Sequence, residues 1–128
     1  TFFLDKERYS NKKIDNKKIS SIETGILFIK EERLNLDPKI TLDQIAADIK
    51  VTKHDFSQYL NEHLKKSFSV FINELRVEKA KELLDSHQQY SVEGIGQESG
   101  FNSKSTFYAA FKKVTGMTPA EYRKLEKT

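Results

Sequence analysis

Residues 42–60, LDQIAADIKVTKHDFSQYL, and residues 92–111, VEGIGQESGFNSKSTFYAAF, follow one pattern twice. In the first copy Leu42, Ile45, Ala46, Ile49 and Val51 lead to Phe56 and Leu60. In the second, Val92, Ile95, Gly96, Gly100 and Phe101 lead to Phe107 and Phe111. The offset is 50 up to the pair Val51/Phe101 and 51 from Phe56/Phe107, so one residue is inserted at the turn. Each copy reads as a short helix, a tight turn and a second helix, the layout that places a helix in the DNA major groove. Two copies at this spacing predict one chain doing what a helix-turn-helix dimer ordinarily does.

Working outward, the punctuation of each copy is explicit. Thr41 opens a helix as its cap, with Gln44 completing a capping box; Thr52 caps the next, with Asp55 in its first turn favoured by the macrodipole. This first unit covers about residues 41–66. A bridging helix is expected over Phe68–Asp85, roughly 27 Å long at 1.5 Å per residue. Residues 86–90 form a loop, and Ser91 opens the second unit, about residues 91–116. Gly100 supplies its turn, Asn102 or Ser103 caps its second helix, and Gly116 stops that helix in the left-handed region. Thr118 and Glu121 form another capping box with Pro119 at the first helical position, which starts a final helix over about 119–126. Upstream, Ile19, Ile22, Ile26 and Ile29 mark an amphipathic helix from about Asp15 to Leu34, within a segment of residues 15–36 that ends before Pro38. Residues 1–14, lysine-rich and without periodicity, read as a linker or arm. No segment alternates long enough to be a strand, so the chain is expected to be all-α.

Composition narrows the function classes. Charged residues are 32% and hydrophobic ones 37%, as in a highly helical protein with a wet surface. Cysteine is absent, which excludes disulfides and thiolate metal sites and is compatible with a cytoplasmic setting. The longest apolar run, residues 26–29, is far short of the ~20 residues of a membrane span, so no membrane contact by this chain is expected. His54, His63 and His87 are isolated, and there is no phosphate-binding glycine loop. Neither a catalytic constellation nor a cofactor site is expected. Net charge is only +3, but three lysines and no acid lie between Asn102 and Gly116. The chain begins with Thr and reads as a piece of a longer protein.

The two units, the Gly-Phe at the second turn, the bridging FINELRVEKAKELL and the ending FKKVTGMTPAEYRK together resemble the C-terminal DNA-binding domain of the AraC/XylS family of bacterial transcription regulators. The resemblance covers about residues 41–126, within a DNA-binding domain of residues 37–128, and the second unit is its more specific half. It implies that the two second helices enter successive major grooves, which lie ~34 Å apart. Carried over by position, the base-reading residues are His54, Ser57 and Gln58 in the first unit and Lys104, Ser105, Tyr108 and Ala109 in the second. Gln58 suits adenine, Lys104 suits guanine, and Ala109 offers only a methyl contact. Thr52, Lys53, Asn61, Lys65, Lys66, Ser103, Lys112 and Lys113 are expected at phosphates or as solvated groups. The resemblance also implies activation, RNA polymerase as a partner beside double-stranded promoter DNA, and an effector or sensor region upstream. LNLDPKITLDQIAADI, FSQYLNEHL and GFNSKSTF further resemble a Bacteroidetes-type subgroup whose upstream region is ligand-sensing or membrane-embedded.

Several positions carry structural readings. Phe56, Phe68, Phe71, Phe107 and Phe111 fall at inward helical spacing and are expected to be core, whereas Tyr59 and Tyr108 are expected to be more open. Arg76, amid apolar neighbours, is expected to brace the first unit through an ion pair or backbone carbonyls. Lys50 and Lys65 stand where the second copy has Gly100 and Gly116, which implies left-handed lysines. Gly94 and Gly96 cost ~1 kcal/mol each against alanine, so the helix that holds them is expected to be the least stable. The other reading is a helical protein-interaction module; the small, polar reading positions suit a groove better than an apolar hot spot.

Overall fold

The computed structural model describes residues 15–126, so the arm expected over residues 1–14 lies outside the described residues. Every helix of the two units starts from a hydroxyl that accepts an orphan backbone N–H. Thr41 Oγ1 accepts from Gln44 N (3.2 Å) to open α2, and Thr52 Oγ1 accepts from Asp55 N (3.0 Å) to open α3. Ser91 Oγ accepts from Gly94 N (3.0 Å) for α5, and Ser103 Oγ from Thr106 N (3.2 Å) for α6. In chain order the helices are α1 (Asn16–Glu31), α2 (Leu42–Asp48), α3 (Lys53–Tyr59), α4 (Phe68–Ser86), α5 (Val92–Glu98), α6 (Lys104–Thr115) and α7 (Pro119–Glu126). No strand occurs among the described residues. The fold is all-α.

The turns of the two units superimpose in chemistry. Val51 N donates to Ala46 O and Phe101 N to Gly96 O, both at 3.0 Å. Lys50 (φ 62°) and Gly100 (φ 98°) supply the left-handed residue. Lysine bears the strain in the first copy; in the second a Cβ on Gly100 would lie 2.7 Å from Asn35 O. The helix ends differ. α6 closes on Gly116 (φ 82°), whereas α3 widens into a π-helical turn over Leu60–Leu64 before Lys65 (φ 58°). The first unit's second helix therefore does not run on as regular α-helix to Lys66. Lys66 N reaches back to Leu60 O (3.1 Å) to close the widened turn.

α1 ends at Glu31 rather than Leu34. Arg33 is left-handed (φ 58°) and a single tight turn over Leu34–Leu36 follows. This early exit swings Leu34 against the core and aims the backbone carbonyl of Asn35 at the bridging helix.

Two cores share that helix. α1, the first unit and the first half of α4 bury Ile22, Ile29, Ile45, Phe56, Leu60, Phe71 and Ile72. The second half of α4 and the second unit bury Val77, Ala80, Leu84, Ile95, Phe107 and Phe111. Phe68 packs at the first core's edge, 6.3 Å from the Phe56 ring. Small residues let helices approach: a Cβ on Gly25 would lie 2.7 Å from Ile49 Cδ1, and one on Gly96 would lie 2.5 Å from Phe107 Cδ2.

Arg76 sits between the cores, buried at 8% exposure. Its Nε donates to Asn35 O (2.8 Å), its Nη2 to Asp37 O (2.9 Å), and its guanidinium lies 5.9 Å from the Phe101 ring centroid. A carbonyl brace is present, but it holds the segment before the first unit, residues 35–37, and the guanidinium also faces Phe101 of the second unit. Burial pulls the guanidinium below its ordinary pKa, with Asp37 opposing the shift.

Candidate nucleic-acid interface

Each second helix buries one face and presents the other. In α6, Phe107, Ala110 and Phe111 point inward, while Lys104, Ser105, Ala109 and Lys112 are exposed and Tyr108 is half-buried. In α3 and its extension, Phe56, Tyr59 and Leu60 point inward, with Lys53, His54 and Asn61 exposed and Ser57 half-buried. The two outer faces are register-equivalent at an offset of 51: Lys53/Lys104, His54/Ser105, Ser57/Tyr108, Gln58/Ala109 and Asn61/Lys112. In α6 this i, i+1, i+4, i+5, i+8 set is the stripe that a helix offers to a groove; in the first unit Asn61 already lies in the widened turn.

Three side chains differ from expectation. Gln58 is buried at 9% exposure, and its carboxamide Nε2 donates to Glu62 Oε2 at 3.0 Å, one turn on, so it lies along its own helix instead of extending outward. Lys66 is not a solvated charge: it is half-buried and paired with Glu74 of the bridging helix. Tyr59 is buried rather than open, because α1 lies over it; its ring stacks on His63 at 5.1 Å, and burial, then the Glu23 charge, raise its phenol pKa.

The remaining positions are held from within the domain. The hydroxyls of Thr52 and Ser103 serve as helix caps, and Ser103 Oγ also donates to Thr106 Oγ1 (2.9 Å). Lys104 pairs with Glu93 at 3.7 Å and lies 5.4 Å over the Tyr108 ring. Lys53 pairs with Asp43 at 3.3 Å. Lys65, Lys112 and Lys113 are exposed beyond these.

Asp43, Glu93 and Arg123 are the residues that the sequence reading missed. Arg123 forks onto the loop before the second unit, donating from Nη1 to Tyr90 O (2.8 Å) and from Nη2 to His87 O (3.1 Å). It ties α7 to that unit as Arg76 ties the bridging helix to residues 35–37. The Thr118–Glu121 box forms as expected, with Thr118 N to Glu121 Oε1 at 2.8 Å and Glu121 N to Thr118 Oγ1 at 3.1 Å. Among the described residues no group of histidine and carboxylate side chains could hold a metal ion, and no helix is long and apolar enough to cross a membrane.

Comparison with known proteins matches this arrangement. A helix-turn-helix domain family model matches residues 45–125. The melibiose operon regulatory protein of Escherichia coli is 30% identical over 91 residues, covering 71% of this chain and 30% of that protein. The chain thus spans less than a third of that relative's length. An AraC-type DNA-binding-domain regulator from Chromobacterium violaceum superimposes with a TM-score of 0.74 at 21% identity, over 88% of this chain and 96% of that one. The DNA-binding domain of AdpA, solved with a target DNA, superimposes with a TM-score of 0.70 at 21% identity, over 82% of this chain and 91% of that one. At these identities the two structures establish the shared fold.

Proposed function

Since the chain belongs to the AraC/XylS family of helix-turn-helix transcription regulators, a family of DNA-binding proteins rather than enzymes, we propose that it binds one promoter site through two recognition helices in successive major grooves. The observation that carries this is the pair of outward faces in equal register at an offset of 51, each opened by its own hydroxyl cap. α4, 19 residues and about 28 Å long, is of the scale that separates neighbouring grooves, ~34 Å.

In this reading His54 and Ser57 read bases in the first groove, and Gln58 joins them by exchanging Glu62 for a base edge. Lys104, Ser105, Tyr108 and Ala109 read the second. Lys53, Asn61, Lys65, Lys112 and Lys113 provide phosphate contacts, with the N-cap regions at Thr52 and Ser103 close to the backbone. Lys66 is left to brace α4. The surface has few exposed large apolar residues on these two faces, which favours a groove over a protein hot spot. Activation through RNA polymerase, and control by an effector or sensor region outside this chain, complete the proposal.

Selection of bound duplexes from a random pool tests it. The expected product is a pair of short boxes about one helical turn apart, bound with an affinity that falls steeply with salt. Failure to enrich any duplex at low salt would instead support a protein-interaction module.

A further inference from the structure

Both reading helices open on a lysine, and in both units the preceding helix supplies an acid to it. Lys53 Nζ lies 3.3 Å from Asp43 Oδ1, and Lys104 Nζ lies 3.7 Å from Glu93 Oε2. Asp43 and Glu93 stand 50 apart and Lys53 and Lys104 stand 51 apart, so the pairs are one feature present twice. Neighbouring positions have diverged between the copies, as Gln44/Gly94, Ile49/Ser99 and Lys50/Gly100 show.

A lysine at the first helical position faces the positive end of the helix dipole, an unfavourable site for a cation. α6 has no acid in its own first turn. α3 has Asp55, which pairs with Lys18 of α1 at 3.5 Å. The cross-helix acids therefore fix these two cations where the helices alone would not. All four side chains are at least half exposed, a setting in which ion pairs add little stability. Asp43 and Glu93 also complement the dipoles of α2 and α5, whose first turns they occupy, and the lysines they reach stand at the mouth of each reading face.

Resting on the DNA-binding reading above, we propose that Glu93 is a specificity-determining residue that acts through Lys104, with Asp43 as its counterpart at the phosphate-contacting Lys53, where it weakens cognate and non-cognate binding alike. A non-cognate duplex offers phosphates alone and binds by neutralising them. It must draw each lysine away from its acid and bring backbone phosphate near that carboxylate. A cognate site meets Lys104 where Glu93 and the Tyr108 ring already hold it. The acid's repulsion is then offset by the orientation it provides. Glu93 thus lowers non-cognate affinity more than cognate affinity, and Asp43→Asn should raise both to a similar extent.

The experiment measures binding of a selected duplex and a scrambled one, over a salt series, by the wild-type domain, Glu93→Gln, Lys104→Gln and the double variant, with Asp43→Asn in parallel. Glu82→Gln, which removes an exposed acid of the bridging helix, serves as the charge control. Glu93→Gln is expected to raise affinity for the scrambled duplex about 3–10-fold, to keep the selected duplex within about 2-fold, and to steepen the non-specific salt slope by up to ~1. In the Lys104→Gln background the change in specificity ratio should vanish. Equal gains on both duplexes from Glu93→Gln, as expected for Glu82→Gln, would overturn the inference, and so would an unchanged ratio or an effect that survives without Lys104. Absence of any preference in the wild-type domain would instead overturn the DNA-reading assignment itself.

Discussion

Replacing Arg76 with methionine tests how the bridging helix is held to the segment that precedes the first unit. The change keeps most of the side-chain volume and removes the two donors that reach Asn35 O (2.8 Å) and Asp37 O (2.9 Å). Hydrogen bonds from a charged donor contribute about 1.5–3 kcal/mol each, and a buried carbonyl left without a partner costs ~1–3 kcal/mol. Asn35 is itself buried, so water cannot readily replace the guanidinium there. Against this, the variant no longer buries a cation, a penalty already visible in the lowered Arg76 pKa. The net expectation is a loss of about 2–4 kcal/mol, a substantial share of the ~5–15 kcal/mol typical of a domain. In urea unfolding, with a slope near ~2 kcal/mol/M, the midpoint should fall by about 1–2 M. Arg76→Lys should recover only part, because a single ammonium cannot fork onto two carbonyls. A midpoint shift below about 0.3 M for Arg76→Met, or full recovery by lysine, would refute the reasoning.

The two left-handed turn positions should respond oppositely. Lys50→Gly relieves a φ of 62° and should raise stability by up to ~1 kcal/mol, whereas Gly100→Ala adds both left-handed strain and a Cβ 2.7 Å from Asn35 O, and should cost about 2–4 kcal/mol by thermal melting. Gln58→Ala should reduce discrimination at one base pair by about 1–3 kcal/mol, while Lys112→Ala weakens selected and scrambled duplexes alike in a gel-shift titration. Amide exchange should be faster in α5, which carries Gly94 and Gly96, than in α4. The backbone N–H of Thr118, then its hydroxyl, lowers the Glu121 pKa. A lowered folded-state value gives stability that is present above the ordinary carboxylate range and is lost as pH falls through the lowered value. Start-of-helix protection in α7, followed by NMR, should therefore persist through the ordinary carboxylate range and fade only at lower pH, and Glu121→Ala should lose that dependence.

The repeat, the hydroxyl caps and the left-handed lysines were legible because each is local chemistry: a cap accepts an N–H two or three residues on, and a left-handed position recurs at the same offset. Arg76 was legible because a cation among apolar neighbours must find oxygen. Gln58 was not, since a helical wheel places it on the outer face but cannot show the carboxamide lying back on Glu62. Tyr59 depended on where α1 comes to rest, and the widened turn over Leu60–Leu64 stands where the pattern reads as continuous helix to Lys66. Arg123 gave no signal at all in a polar helix, as its carbonyl partners lie more than thirty residues earlier. Asp43 and Glu93 are first-turn acids of α2 and α5, and only the cross-helix distances pair them with Lys53 and Lys104.

The central claim is that one chain holds two recognition helices at a fixed phase on the duplex. It is tested most directly by taking the selected site and inserting base pairs between its two boxes. Insertion of about 5 bp, half a helical turn, should turn the second box to the far side of the duplex and reduce affinity to the level of a single box. Insertion of about 10 bp should not restore full affinity, because the bridging helix is too short for the wider gap. Affinity that is indifferent to both insertions would show that the two helices do not bind at a fixed phase.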